Sequence, residues 1–164
     1  MNKKQHRIFP LLFCVVLICV IGFYVHSKIS SSASTDHFSV TAFPAEIIAD
    51  GNINRLEYSF LVDNTSQQQI ENLKVTLVLN SALEDYFASG QTTAFLGKYD
   101  LVSKTDAETG KNLAFGIECH HSPALVDKDD YSDCYTLGRT IKIVLEWGSK
   151  TETHTVDVDV IDCR

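Results

Sequence analysis

The sequence predicts an all-β protein: an antiparallel β-sandwich preceded by a single N-terminal transmembrane helix. Three observations carry this. An 18-residue stretch from Ile8 to Val25 holds no charged side chain. Apolar and polar residues then alternate with period two in run after run, the signature of half-buried strands. No long amphipathic helical pattern interrupts them.

The apolar stretch comes first. As a helix it spans about 27 Å at roughly 1.5 Å per residue, close to a hydrocarbon core of about 30 Å. It has no polar face, so it needs apolar surroundings on every side, which a small β domain does not supply. Lys3, Lys4 and Arg7 precede it and place the N-terminus in the cytoplasm by the positive-inside bias. Pro10 falls in the first turn, where its missing N–H costs little, and Tyr24 falls at interfacial depth. Residues 1–28 therefore read as a cytoplasmic stub and membrane anchor, with the membrane engaged through Ile8 to Val25. The alternative is a cleaved signal segment, with Ser31-Ser32-Ala33 as a tolerable cut and secretion after Ala33. A lipoprotein signal fails, since Phe13 and Ile18 precede Cys14 and Cys19; a type IV pilin signal fails for want of a glutamate after Gly22-Phe23. With only about seven residues before the anchor, function is expected outside the membrane, in a single-pass protein whose domain is extracytoplasmic.

Residues 29–36 form a serine-rich spacer. In 37–164, Phe38, Val40 and Ala42 alternate until Phe43-Pro44; Leu56, Tyr58, Phe60 and Val62 alternate until Asp63-Asn64-Thr65-Ser66; Leu73, Val75, Leu77 and Leu79 follow. The last two runs flank Thr65 to Gln69 and are expected to pair as neighbours. Ser81 to Ala88 breaks the alternation: Leu83, Tyr86 and Phe87 sit at helical spacing, with Ser81 as the cap. Phe95–Val102 and Leu113–Cys119 are further strands. Ile141, Ile143, Leu145 and Trp147, then Gly148-Ser149, then Val156, Val158 and Val160 read as a hairpin with a two-residue loop. Seven or so strands at this spacing suit a sandwich.

The run Leu56-Glu-Tyr-Ser-Phe-Leu-Val-Asp-Asn-Thr-Ser66, followed by Ile70-Glu-Asn-Leu-Lys-Val-Thr-Leu-Val-Leu79, resembles the strand–turn–strand core of immunoglobulin-like modules on bacterial and archaeal surfaces, the CARDB-type adhesion modules among them. The resemblance covers about 25 of the 164 residues. It implies an immunoglobulin-like fold and a binding or spacer role outside the cell, and it carries no catalytic residue across.

Of the 14 basic side chains four lie in the first 28 residues, which hold no acid; the rest of the chain carries 10 basic against 21 acidic, a balance of −11. Such a domain repels phosphate backbones, so nucleic acid is not an expected partner; an envelope or surface protein is. Cys119, Cys134 and Cys163 lie in the exported part, where thiols oxidise. A Cys119–Cys134 bridge would enclose 14 residues and stabilise by about 3 kcal/mol. It is the expected pairing, although three cysteines allow three single bridges.

Two ligand sets compete with the plain disulfide-stapled loop. Cys119, His120 and His121 with Cys134 could hold a transition metal or sense redox state. Adjacent strand residues face opposite ways, however, so the two histidines cannot both join Cys119 while the strand continues. Asp127, Asp129, Asp130 and Asp133 could supply calcium with oxygens, without the glycine and glutamate of an EF-hand loop. The expectation is no cofactor. No nucleophile elbow, phosphate-cradling loop or zinc-protease motif is present, so no catalytic residue is predicted and the protein reads as a non-enzyme. Glu118 next to His120 does not amount to an acid–base pair, and His154 fits a partly buried, satisfied histidine. Asn64-Thr65-Ser66 matches the short glycosylation pattern.

Overall fold

A computed structural model describes residues 36–104, 114–128 and 130–164. The membrane anchor, the spacer up to Thr35, the cut at Ser31-Ser32-Ala33, Leu113 and Asp129 lie outside them. The described residues are all-β in character: nine strands, one 3-10 helix and one short α-helix.

In the first sheet a long central strand, β3 (Ile53–Asn64), carries partners on both edges. β1 (Phe38–Ala42) pairs with its second half and β2 (Ala45–Asp50) with its first half; β6 (Gly116–His121) lies along the other edge. The register slips by one residue between Ala42↔Phe60 and Glu46↔Glu57. Phe43-Pro44 stands at the slip, where proline has no N–H to offer the ladder. β2 turns into β3 through Gly51-Asn52, a tight hairpin that the alternation alone did not indicate, with Gly51 at φ 64°. The C-terminal β9 (Val160–Asp162) adds to β2 in parallel, against the expectation of a wholly antiparallel structure.

The second sheet runs β5 (Thr93–Leu101), β4 (Ile70–Val78), β7 (Thr140–Trp147), β8 (Lys150–Asp157). β7 and β8 form the expected hairpin. Gly148 takes φ 55° at the first loop position, which a type II′ turn requires and a side chain resists. β4 bulges between Ile70 and Leu73, where Asn72 adopts φ 55° and its N–H donates to Asp100 Oδ1 at 2.8 Å.

β3 and β4 do not pair, contrary to the expectation. The chain crosses from one sheet to the other between them, and alternation says which face of a strand is buried but not which sheet it joins. Val160 likewise leaves the β7–β8 hairpin for the first sheet. The inner faces of both sheets share one hydrophobic cluster, with Leu56, Tyr58, Phe60 and Val62 from β3 meeting Leu73, Val75 and Leu77 from β4 and Ile141, Ile143 and Leu145 from β7. Burying such side chains contributes roughly 1.5–3 kcal/mol each. The break at Ser81 is a 3-10 helix (Ser81–Tyr86) that buries Leu83; its cap is Asn80, whose side chain accepts from the Ala82 N–H, rather than Ser81. One helix was not anticipated: α1 (Ser132–Leu137), six residues that bury Cys134. Six residues are too few for a helical period to emerge from the sequence.

Candidate functional site

On β6 the alternation places Cys119 and His121 toward the interior, opposite Phe60 and Tyr58, and turns Glu118 and His120 outward, opposite Leu61 and Ser59. The Cys119 thiol lies against Tyr99, and burial pushes it up to about 11. His121 is half-buried, which lowers its pKa. Cys134 is buried under α1, where desolvation pushes its thiol up to about 11, partly countered by Lys128. Cys119, Cys134 and Cys163 are free thiols in this structure, so the expected Cys119–Cys134 bridge is not formed; the two sulfurs have different neighbours, Tyr99 for one and the α1 surroundings for the other.

The acidic loop has local tasks. Asp130 accepts from the Ser132 N–H at 2.8 Å and from its hydroxyl at 2.9 Å, and these bonds lower its pKa. Asp133 accepts from the Tyr86 hydroxyl, which pushes that phenol up to about 12. Asp127 is exposed. Among the described residues no three histidine, cysteine or carboxylate side chains converge as metal ligands.

His154 is partly buried and hydrogen-bonded, at 2.6 Å from Nε2 to Glu152 Oε1. The Glu152 carboxylate also accepts from the backbone N–H groups of His37 and Phe38, at 3.0 and 3.4 Å, and so ties the start of β1 to the second sheet. Asn64 is fully buried; its Nδ2, the atom a glycan would need, donates to the carbonyls of Gln68 at 2.8 Å and Val102 at 2.9 Å. The folded chain therefore cannot present Asn64 for glycosylation.

A concavity lies on the outer face of the first sheet. It is an open groove of about 440 Å³ lined by Phe43, Pro44, Glu46, Glu57, Ser59 and Glu118. The residues arrive there by strand period: Glu57 and Ser59 are the outward positions of β3, Glu46 that of β2, Glu118 that of β6. Glu46 and Glu57 stand directly opposite each other, a like-charge cross-strand pair that is unfavourable in isolation. Neither forms an ion pair among the described residues. His120 borders the cleft with both ring nitrogens engaged, Nδ1 with Ser59 Oγ at 2.8 Å and Nε2 with Glu118 Oε1 at 3.4 Å. Phe43, 45% exposed, and Pro44 form an apolar wall. The arrangement suits a positively charged group carried beside an apolar or aromatic one. Of the cleft and its border, the sequence raises only Glu118 and His120 in connection with chemistry, Phe43-Pro44 reading as a strand end and Glu57 and Ser59 as strand positions. Glu46 and Glu57, eleven residues apart, become neighbours through the Gly51-Asn52 turn, the one signal that could have revealed them.

No protein-family model matches the chain, and no curated protein sequence does. Among solved structures it is similar to a GH20 exo-β-N-acetylglucosaminidase from Vibrio harveyi, at 15% identity and a TM-score of 0.37 over 77% of this chain and 18% of that one. It is also similar to the Pseudomonas fluorescens alkylpurine DNA glycosylase AlkC, at 12% identity and 0.34 over 73% and 30%. A third similarity is to DesR, a β-glucosidase from Streptomyces venezuelae, at 13% and 0.25 over 74% and 15%. The chain spans less than a third of each of these proteins, and at these TM-scores none of them bears on its activity.

Proposed function

We propose that this chain is a non-enzymatic binding module of the cell envelope, an immunoglobulin-like β-sandwich held outside the membrane by the apolar segment Ile8 to Val25, whose working surface is the acidic cleft of the first sheet. One observation carries the binding reading. Two glutamates are held side by side, neither of them ion-paired among the described residues, next to an exposed phenylalanine and a proline. Folding gains nothing from that placement, since like charges directly opposite are destabilising, whereas a cationic partner would gain from it. The partner this favours is a protein segment presenting lysine or arginine beside an aromatic side chain. Charge contacts of this exposed kind set specificity and encounter rate more than affinity, so the binding is salt-sensitive.

The test uses the full chain in lipid nanodiscs and a fluorescent peptide of alternating lysine and phenylalanine. Saturable binding that weakens as salt rises, and at least roughly tenfold on Glu46→Lys with Glu57→Lys, supports the reading. Binding that ignores both changes defeats it. Protease added outside intact cells should cut the domain if it is extracytoplasmic; full protection there would overturn the location.

A further inference from the structure

The second sheet ends in a free edge. β8 is its outermost strand and pairs with β7 in unbroken register from Thr140↔Asp157 to Trp147↔Lys150. Antiparallel pairs alternate between those that exchange main-chain hydrogen bonds and those that do not. Both ends of the hairpin show which are which. A two-residue loop closes on a hydrogen-bonded pair, here Trp147↔Lys150. At the far end Val158 N–H donates to Arg139 O at 2.7 Å, the bond that flanks a non-bonded pair at Thr140↔Asp157. The N–H and C=O groups of Thr151, Thr153 and Thr155 therefore point away from β7. They meet no main-chain partner among the described residues, and the three side chains are exposed.

Such an edge is a template for another strand. β5, the opposite edge of this sheet, is bent by a register shift between Val75 and Thr76, and β9 in the first sheet has only 3 residues. β8 has neither defect. Inward-pointing charged residues on an edge strand ordinarily repel a second strand. On β8 these are Glu152 and His154, one on either side of Thr153 and bonded to each other at 2.6 Å. The stretch Thr151-Glu152-Thr153-His154-Thr155 is thus complementary to itself run backwards. Laid antiparallel to a second copy about Thr153, it sets Thr151 against Thr155, Glu152 against His154 and Thr153 against Thr153. Threonine pairs and acid–base pairs are both favourable cross-strand neighbours. A parallel copy would bring Glu152 to Glu152, and centring on His154 would set Glu152 against Val156 and His154 against itself.

We propose that β8 is a dimerisation edge: two copies pair antiparallel along it, about a two-fold axis at Thr153, and join their second sheets into one. The contact goes beyond the cleft reading and uses none of the cleft's residues. Because the same strand serves both copies, the interface is closed and stops at two. The free main-chain groups of Thr151, Thr153 and Thr155 supply the hydrogen bonds, since the favoured register brings these residues directly opposite one another. Glu152 and His154 select the partner and its direction.

The experiment is sedimentation of the full chain in detergent with a reducing agent, which keeps exposed Cys163 from linking copies. The wild type is expected to form dimers as its concentration rises, and nothing larger. Thr153 is exposed and turns its N–H away from β7, so changes there spare the β7–β8 ladder. Thr153→Pro removes that N–H and should weaken dimerisation at least roughly tenfold. Thr153→Lys and Thr153→Glu each set like charges directly opposite across the axis, and each alone should stay single. Mixed in equal amounts they should form dimers again, a rescue that contact through the apolar segment or the acidic cleft does not give. Fluorescence of the sole tryptophan, Trp147, reports whether each variant is folded. A wild type that stays single, assemblies larger than two, folded variants that pair as strongly as the wild type, or a lysine–glutamate mixture that stays single would each overturn the proposal.

Discussion

The chain passes between its two sheets four times, and two of these crossings, at the ends of β3 and β8, lie at positions that sequence alternation treats alike yet are held by different means. At the end of β3 one buried side chain is added to main-chain bonds, from Asn64 N–H to Phe115 O at 2.7 Å and from Thr65 N–H to His37 O at 2.9 Å. Asn64 is fully buried; its amide donates to Gln68 and Val102, and its oxygen accepts from the Ser66 N–H at 3.0 Å and the Ser66 hydroxyl at 2.7 Å. At the end of β8 the passage depends on the backbone. Val158 N–H donates to Arg139 O, and Ala45 N–H donates to Asp159 O, each at 2.7 Å. The side-chain contact there, Arg139 to Asp159 at 3.2 Å, is exposed on both partners. Main-chain bonds tie both crossings, but only the first adds a buried side chain whose identity it requires, whereas the second leaves its side chains free to vary.

Replacing Asn64 breaks the first crossing. Asn64→Ala leaves the Gln68 and Val102 carbonyls without their buried donor and should cost about 3 kcal/mol, read as a lower urea midpoint in Trp147 fluorescence. Asn64→Asp restores the acceptor atom but not the donor and should recover little. A loss below about 1 kcal/mol for Asn64→Ala would erase the contrast between the crossings.

A smaller effect comes from the thiols, one on β6 beside the first crossing and one on α1 ahead of the second. Cys119 and Cys134 both have folded pKa values raised by burial to about 11, from an ordinary value of 9.0. Their contribution is therefore fully present below about pH 9 and is lost as pH rises toward 11, on the order of 2 kcal/mol per thiol. Cys119→Ala and Cys134→Ala should each flatten part of that fall relative to the parent chain. Stability that ignores this pH window in the parent would indicate that the two sulfurs do not titrate, as in a Cys119–Cys134 bridge. In the folded state a thiol reagent should label exposed Cys163 well before either buried thiol.

The smallest effect belongs to the second crossing. Arg139→Ala removes an exposed ion pair and should change stability by no more than about 0.5 kcal/mol. A loss comparable to that of Asn64→Ala would mean that the side chains, not the main chain, hold β9 in place.

Much of the fold was legible. The alternating runs ending at Asp63-Asn64 and beginning at Ile70 are strands, the Gly148-Ser149 hairpin forms where the turn residues indicate, and the helical spacing of Leu83, Tyr86 and Phe87 marks a helical turn. Less of the site was legible. His120 and His121 do face opposite ways, as strand geometry requires. The cleft, however, is assembled from β2, β3 and β6, and no local window spans Glu46, Glu57 and Glu118. The same limit hid β9, because Val160 continues the alternation of Val156 and Val158 even as the chain changes sheets.

By itself the sequence determined which residues turn inward, because that follows from the period of a strand and from the cost of leaving apolar side chains in water. Only the tertiary structure decided which strands become neighbours and hence which outward residues share a face. Pairing is settled by hydrogen bonds between segments far apart in the chain, and nothing in the local alternation of a strand records its partner.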